Sequence, residues 1–516
     1  MKIVSPTTMR ELDRRTIEEA GVPDERLMEQ AADAAFRELL RTLPLLPHTD
    51  EAPSFCILTG KGNNAGDGFV IARRLAEAGW RTSLLAASPL DTLTGTPLLK
   101  ADMLPDSVTV NALAPEALGG LPRSTVLIDA MLGTGIQGPL RSPYDALVPA
   151  VNRSGLPVVA VDLPSGLNAD TGDVATDAVE ADLTITMALP KSGLLRGEGP
   201  ARCGMLRVVD IGIPASFVAE APSVGEAVFE QDMRVHFPRR PAAGHKRTFG
   251  SLLVVGGALS YAGAPMLAGV GALRAGTGLV TVALPWAAAR VAPRRFASPI
   301  VVPVGADQSR FLDAESVDEI RPLLERADAV VFGPGVGDPA AARPVLDALL
   351  DTGLPLLVDA DGLRSLATLN PDDLARRPAP LVLTPHPGEM RDLLAGFDLP
   401  PPDESEREQQ ALRVAERVRA HVLLKGKASI VASPNGRSAI NTSGTTALAT
   451  AGTGDVLAGM IGGFLAQGLP PRDACCCGAF LHGLAGECSR VGTRGLTADD
   501  LLDLIPEALH RCTPFA

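Results

Sequence analysis

The chain has 516 residues, too many for one ordinary hydrophobic core, so two or more domains are expected. Hydrophobic residues make up 46% and charged residues 21%, the balance of a soluble globular enzyme. The net charge of −13 is offset by no run of lysine or arginine. Nucleic acid and anionic membrane are therefore excluded as natural partners. Met1–Arg15 carries no apolar signal segment, and the longest apolar run, Val456–Leu469, is too short and glycine-rich to span a bilayer. Seven cysteines, three of them consecutive (Cys475, Cys476, Cys477), form neither a disulfide framework nor a zinc pattern. Core packing in a reducing cytoplasm is the expectation. Only seven of the 47 basic residues are lysine, and five of those (Lys61, Lys191, Lys246, Lys425, Lys427) fall in the motifs described below, where a compact point charge is useful.

Two helices are predicted between about Ser5 and Leu40, from the spacing of Met9, Leu12 and Ile17 and of Leu27, Met28, Ala31, Ala35, Leu39 and Leu40. A loop at Pro44–Pro53 leads to a buried strand, Ser54–Thr59, then the glycine loop Gly60–Gly68 and a helix through Ala78. Strand, glycine loop and helix form the nucleotide-binding unit of a parallel sheet, but the spacing is one residue longer than the dinucleotide fingerprint. The next strand, Arg81–Ala87, also lacks a terminal acid for a ribose, which disfavours an ordinary NAD-dependent dehydrogenase. The strands Thr125–Asp129 and Val158–Asp162 end in the polar loops Ala130–Gly135 and Leu163–Gly166. Strand ends of an open α/β sheet share one crevice, so Asn64, Asp129, Asp162 and Ser165 are expected to converge, with oxygens suited to a hard cation. Singly, each aspartate also reads as a loop cap. The strands Leu183–Met187, ending at Pro190-Lys191-Ser192-Gly193, and Met205–Ile211 complete this half, and a Pro/Ala-rich linker is placed in Ala221–Pro241.

The second half again alternates strands and helices: Ser251–Val255, a helix through Ala275, Leu279–Ala283, Ala329–Phe332, Leu356–Val358, Leu381–Leu383, the charged helix Glu404–Arg419 and Val422–Leu424. Its loops carry Gly333-Pro-Gly-Val-Gly337, Asp359-Ala-Asp361, Thr384-Pro-His-Pro-Gly-Glu389 and Lys425-Gly-Lys-Ala-Ser429. The last motif, Gly452-Thr-Gly-Asp455, opens an apolar helix from Val456. Backbone amides there, with the helix's positive end, make an anion site beside a carboxylate, an arrangement suited to phosphoryl transfer or elimination at a hydroxyl. The alternative is a glycine-rich helix start with Asp455 as N-cap. No P-loop pattern occurs, so this phosphate chemistry is of another kind. His386 reads either as a packed loop histidine or as a substrate contact.

Together these motifs resemble a known family. Asn63–Gly68, Asp129–Gly135, Val161–Gly166 and Leu189–Gly193 are similar to the NAD(P)H-hydrate epimerase domain. His245-Lys246, Tyr261–Ala264, Gly333–Gly335, Thr384–Glu389, Lys425-Gly426 and Gly452–Asp455 are similar to the ADP-dependent NAD(P)H-hydrate dehydratase domain of ribokinase-like fold. Ala65 departs from the usual glycine of the first motif, and Ser429 stands where threonine is frequent. The resemblance implies an α/β protein of two domains: a Rossmann-like three-layer sandwich over 1–220, a linker over 221–235 and a ribokinase-like domain over 236–516. It implies a nicotinamide-nucleotide repair enzyme that epimerises the R and S hydrates of NAD(P)H. The S form would be dehydrated at the expense of ADP, giving AMP and phosphate.

By the same resemblance, potassium is held by Asn64, Asp129 and Ser165. The hydrate contacts Asn63, Asn64, Ala65, Gly66 and Asp67, the loop Gly133, Thr134, Gly135, Ile136, Gln137, Gly138 and Pro139, and Asp162. Asp162 is the candidate acid/base of the first domain, with Lys191 assisting. In the second domain Ala264, Gly335, His386 and Asp455 contact the hydrate, with Asp455 as catalytic base. Lys425, Gly426, Lys427, Ala428, Ser429 and Gly454 contact the adenine nucleotide, accompanied by magnesium. The expected partners are small molecules only, and the expected assembly is a homo-oligomer. Two rival readings are a ribokinase-like small-molecule kinase fused to a binding domain, and a first domain that only senses nucleotide.

Overall fold

The computed structural model describes residues 1–46, 51–293, 297–403, 406–489 and 494–513. Part of the expected loop Pro44–Pro53 and the expected helix start at Glu404 lie outside these residues. The chain divides into two compact units, Met1–Glu226 and Ala227–Ala516. Among the described residues, no helix is long and apolar enough to cross a membrane.

The first unit contains a seven-stranded, all-parallel sheet: β1 (Ser54–Thr59), β2 (Thr82–Ala86), β3 (Thr109–Ala112), β4 (Thr125–Ala130), β5 (Val158–Val161), β6 (Leu183–Met187) and β7 (Met205–Val209). Their spatial order is β3-β2-β1-β4-β5-β6-β7. The chain order reverses between β1 and β4, so the crevice of this sheet opens at the carboxyl ends of those two strands. β1, β4, β5 and β6 are buried along their whole length, as strands covered on both faces must be. One face carries the helices α2 (Asp24–Thr42) and α3 (Asn63–Glu77), with Leu27, Ala35, Phe69 and Ala72 in one core cluster, and α1 (Pro6–Glu18) buries Met9 and Leu12 in a smaller one. α1 starts cleanly, with Ser5 accepting from the Thr8 amide and Pro6 in its first turn.

The second unit's sheet holds β8 (Ser251–Val255), β9 (Leu279–Pro285), β10 (Ile300–Val304), β11 (Ala329–Phe332), β12 (Leu356–Val358), β13 (Leu381–Leu383), β14 (His421–Leu424), β15 (Ile430–Ala432) and β16 (Ser438–Asn441). The order is β16-β15-β14-β13-β12-β11-β8-β9-β10. The pairings are parallel except β14–β15 and β15–β16. Here the order reverses at β8 and β11. The helices α4 (Gly263–Arg274), α5 (Pro387–Gly396), α6 (Thr453–Ala466), α7 (Pro471–Glu487) and α8 (Ala498–Cys512) flank this sheet. α4 and α6 meet backbone to backbone, because a Cβ at Gly459 would stand 1.9 Å from the carbonyl oxygen of Ala268. Cys475, Cys476 and Cys477 are buried in α7.

The α/β architecture expected for both halves is the one observed, and three local expectations change. Asn63–Gly68 is not a loop: the helix begins at Asn63, immediately after Gly62. α6 likewise begins at Thr453, which puts Asp455 inside its first turn. The segment expected to link the halves contains a strand, Gly225–Val228, and a short helix, Glu230–Met233. Its apolar residues Ala227, Val228, Phe229 and Met233 are buried, and burial of those side chains outweighs the Pro/Ala-rich composition around them. The short antiparallel strands β15 and β16 and the edge strand β10 had no sequence signal strong enough to be expected.

Each unit has its own buried apolar clusters. Residues 1–226 and 227–516, expressed separately, are therefore each expected to unfold in one cooperative thermal transition. A half that melts without cooperativity would contradict the division.

Candidate active sites at the strand ends

In the first unit, the polar groups that follow β1, β4 and β5 form two clusters. Asp129, at the end of β4, has no exposed surface. One of its oxygens accepts from the Ser165 hydroxyl (2.7 Å) and the Met131 amide (3.2 Å), and the other from the Ser165 amide (2.8 Å). The Ser165 hydroxyl oxygen in turn accepts from the Leu132 amide at 2.9 Å, and Asn64 Nδ2 donates to the Leu132 carbonyl at 2.9 Å. Asn64 Oδ1 is buried with no hydrogen-bond partner. Burial raises the Asp129 carboxyl to about 6 despite the bonds from Ser165. The expected convergence of Asn64, Asp129 and Ser165 is thus present, and a Cβ at Gly133 would stand 3.4 Å from Asn64 Cβ. The loop from Gly133 to Pro139 is partly or fully exposed, as is Asn63.

Asp162 does not join that cluster. It sits at φ +66°, a strained value for a non-glycine residue, and turns toward β6. Its Oδ1 accepts from Thr186 Oγ1 (3.0 Å), the Met187 amide (3.2 Å) and Lys191 Nζ. Lys191 is 1% exposed and also donates to Thr186 Oγ1 and the Met187 carbonyl. The backbone of Val4 brackets this lysine, its amide donating to Pro190 O and its carbonyl accepting from Ser192 N. Two further carboxyls share the surroundings. Asp13, on α1, is raised to about 6 by burial and by Asp162, against the opposing pull of Lys191. Asp67, on α3, is pushed well above the carboxylate range by burial and by Asp162 and Asp13. Asp13 escaped sequence reasoning because it lies at the margin of an ordinary amphipathic stripe.

In the second unit, Gly335 packs against the backbone of Tyr261 and against Ala264, since a Cβ there would lie 2.6 Å from Tyr261 O and 3.1 Å from Ala264 Cβ. His386 is the N-cap of α5. Its Nδ1 accepts from the amides of Gly388 (2.9 Å) and Glu389 (3.1 Å), and Glu389 Oε2 accepts from the His386 amide. A nitrogen that accepts two amides carries no proton, so the neutral ring has its hydrogen on Nε2.

Lys425 Nζ donates to Asp359 Oδ1 at 2.7 Å and stands 3.8 Å from Glu389 Oε2. Burial would depress this lysine, but Asp359 and Glu389 outweigh it and hold its pKa above the ordinary value. A Cβ at Gly454 would be 3.7 Å from Lys425 Nζ, which places the ammonium beside the first turn of α6. Gly452, left-handed at φ +91°, makes the turn into that helix and offers no side-chain cap. Asp455 therefore does not cap α6, and no described residue donates a hydrogen bond to its carboxylate. Burial, and then Asp359, Glu389 and Asp361, raise it to about 7, with Lys425 pulling the other way. In the 425–429 loop, Ala428 is left-handed and Ser429 Oγ donates to Gly426 O. Lys427 is exposed. Glu389 and Asp359 were legible only as polar strand ends, since nothing in the sequence links either to Lys425.

Two family models match the chain: YjeF-related protein N-terminus over residues 24–193, and NAD(P)H-hydrate dehydratase over 252–507. The bifunctional NAD(P)H-hydrate repair enzyme Nnr of Salinibacter ruber is 40% identical, the alignment covering 98% of this chain and 95% of that one. The chain belongs to the bifunctional NAD(P)H-hydrate repair enzymes. The Coxiella burnetii enzyme of the same name is 35% identical, over 96% of each chain. Among solved structures, the ADP/ATP-dependent NAD(P)H-hydrate dehydratase of Bacillus subtilis, co-crystallised with ATP/Mg2+, is 27% identical with a TM-score of 0.48, covering 56% of this chain and 99% of that one.

The raised Asp455 gives a stability prediction that needs no substrate. Its folded-state pKa, about 7, lies above the unfolded value of 3.8, so its contribution is fully present below about pH 4 and is lost as pH rises through about 7. Asp455→Asn removes that loss. Between about pH 5 and pH 8 the variant's thermal midpoint should fall less than the parent's, and equal falls would show that Asp455 is not raised by the fold.

Proposed function

We propose that this chain repairs hydrated NAD(P)H in two steps, one in each unit. The first unit interconverts the R and S hydrates, and the second removes the hydroxyl of the S hydrate at the expense of ADP, yielding NAD(P)H, AMP and phosphate. The observation that carries this reading is Asp455: a carboxyl in the first turn of α6, raised to about 7 and given no hydrogen bond by any described residue, beside the Lys425 ammonium.

In dehydration, Asp455 takes the proton of the substrate hydroxyl as its oxygen attacks the terminal phosphorus of ADP and AMP departs. The free amides at the α6 N-terminus and Lys425 hold the transferred phosphoryl group. Phosphate then leaves the ring carbon, a proton is lost from the adjacent carbon, and the double bond is restored. Ala264, Gly335 and the half-exposed ring of His386, whose Nε2 lies 3.3 Å from Glu389 Oε1, are the proposed contacts to the hydrate, and Gly426, Lys427, Ala428, Ser429 and Gly454 those to the nucleotide. Among the described residues no group of three His, Cys, Asp or Glu side chains gathers as a metal cage. Magnesium would be brought by the nucleotide, whose phosphate charge it would offset when bound.

In epimerisation, the hydroxyl must leave one face of the ring and return on the other, which calls for a group that gives and takes a proton. Asp162 is that group in this reading. Lys191, Thr186 and Met187 engage only its Oδ1, which leaves Oδ2 for the substrate. Asn63, Ala65, Gly66, Asp67 and the loop from Gly133 to Pro139 line the approach. The buried, unpartnered Asn64 Oδ1 and the Asp129 carboxylate, which no described cationic side chain neutralises, fit a monovalent cation such as potassium, with Ser165 completing the set. When bound, the cation would compensate Asp129 and fix the β4 loop.

Two assays test these assignments. With hydrated NADH and ADP, Asp455→Asn should lower single-turnover dehydration by on the order of 10²–10⁴ while ADP binding stays within a few-fold. Turnover near the parent's would return the chemistry to another residue. A phosphorylated hydrate as the final product would favour a kinase. Asp162→Asn should abolish interconversion of the epimers and spare dehydration of the S form, whereas Asn64→Ala should weaken potassium dependence. Normal epimerisation by Asp162→Asn would remove that residue from the chemistry.

A further inference from the structure

Asp359 is among the most completely buried carboxylates of the second unit, at 1% exposure, and it is placed with some effort. β12 delivers it, its amide donates to Phe332 O (3.0 Å), and its carbonyl accepts from Gly362 N (3.0 Å). The next residue, Ala360, is driven to φ +50° without being glycine. That bend separates the two aspartates. Asp361 turns to accept from the Gly337 amide at 2.9 Å, while Asp359 turns inward to Lys425 Nζ at 2.7 Å. Hydrophobic residues commonly replace buried ion pairs without loss of stability, so the pair is weak evidence of a stabilising role. What the pair does achieve is positional. A lysine on a flexible four-carbon stem is fixed with its ammonium beside Gly454, at the amide end of α6.

We infer that Asp359 is a positioning residue for the phosphoryl-transfer site, its buried carboxylate anchoring Lys425 against the first turn of the helix that carries Asp455. The inference rests on the dehydratase reading above and adds to it the residue that aims the ammonium. It has a second consequence. Asp455 is faced by Lys425 from β14, by Asp359 and Asp361 from the end of β12, and by Glu389 from α5, whose other neighbour is His386. Asp359 is the leading negative neighbour of Asp455 and holds its proton on. Removing that charge lets Asp455 ionise at lower pH, and since the ionised form is the base, the acid limb of turnover follows it down.

The test uses the full chain carrying Asp359→Asn or Asp359→Ala. Asparagine keeps an oxygen for Lys425 and loses the charge, so dehydration of hydrated NADH should persist with its acid limb shifted to lower pH by roughly half a unit to one unit. Alanine loses the anchor as well, and ADP binding in the presence of Mg2+ should weaken by at least about tenfold, the size of one charge-assisted hydrogen bond. An unmoved acid limb in the Asn variant, or parent-like ADP affinity in the Ala variant, overturns the inference. If the parent itself fails to regenerate NADH, the dehydratase reading fails instead, and the ADP titration still decides whether Asp359 anchors Lys425.

Discussion

A lysine paired with an aspartate, at the carboxyl edge of a parallel sheet, is the interaction on which the candidate site of each unit depends. Lys191 meets Asp162 after β5 and β6, and Lys425 meets Asp359 after β14 and β12. A parallel sheet delivers every strand's carboxyl end to one edge, so side chains far apart in sequence meet there without any special loop. Taking charges out of water is costly unless they are paired, and each lysine has an aspartate and further oxygen partners or a second carboxylate within reach. Next to each pair stand carboxyls that the lysine only partly compensates: Asp13 and Asp67 in the first unit, Asp455 in the second. One carboxylate fixes the cation, and another is left holding a proton near neutral pH. Environments that push neighbouring acids apart in this way are what proton-transfer chemistry requires.

The arrangement is held in place by strain accepted at two positions. Asp162 at φ +66° and Ala360 at φ +50° both sit in the left-handed region beside the functional carboxylates, at a cost on the order of 1–3 kcal/mol each. Strands buried on every residue supply the rigidity that tolerates it, with β5 and β6 flanking Asp162 and β12 leading into Ala360. Replacing either conformation by a relaxed one would rotate a carboxylate away from its lysine.

Much of this was legible in the sequence, because glycine loops after apolar runs mark strand ends and the polar residues there were read as site residues. Asn64, Asp129 and Ser165 do converge, and Lys191 does meet Asp162. Less legible was how each group is engaged. The sequence placed Asp162 with the Asn64 cluster, whereas a positive φ turns it to the neighbouring strand. His386 read as a loop residue and is a helix cap, because the Glu389 carboxylate closes a capping box that pattern alone does not prove. Asp13 was missed, and Asp359 read only as a polar strand end, for one reason: their importance comes from which charges lie across space, and neither spacing nor composition records that. Lysine scarcity was a partial guide. Lys191, buried, and Lys425, half-buried, are the paired ones, but Lys61, Lys246 and Lys427 are exposed, and the buried Lys100 pairs with Glu29 outside any motif.

The two units also solve opposite charge problems, and this explains why their aspartates are arranged differently. In the proposed dehydration a phosphoryl group brings negative charge into the second unit's site, so the α6 amides and Lys425 would have to be available to it. Lys425 can serve only if its own counter-ion is already fixed behind it, which is Asp359's position. On that reading Asp455 stands near the anion without being neutralised by the same lysine, and Asp359, Glu389 and Asp361 raise its proton affinity so that its ionised form can take the hydroxyl's proton. In the first unit no anion is made or transferred. There the excess is of carboxylates, with Asp13, Asp67 and Asp162 around Lys191, and separately Asp129, which no described side-chain cation neutralises. A site with surplus buried negative charge draws in a cation or keeps protons, and both outcomes suit a reaction that removes a hydroxyl and puts it back.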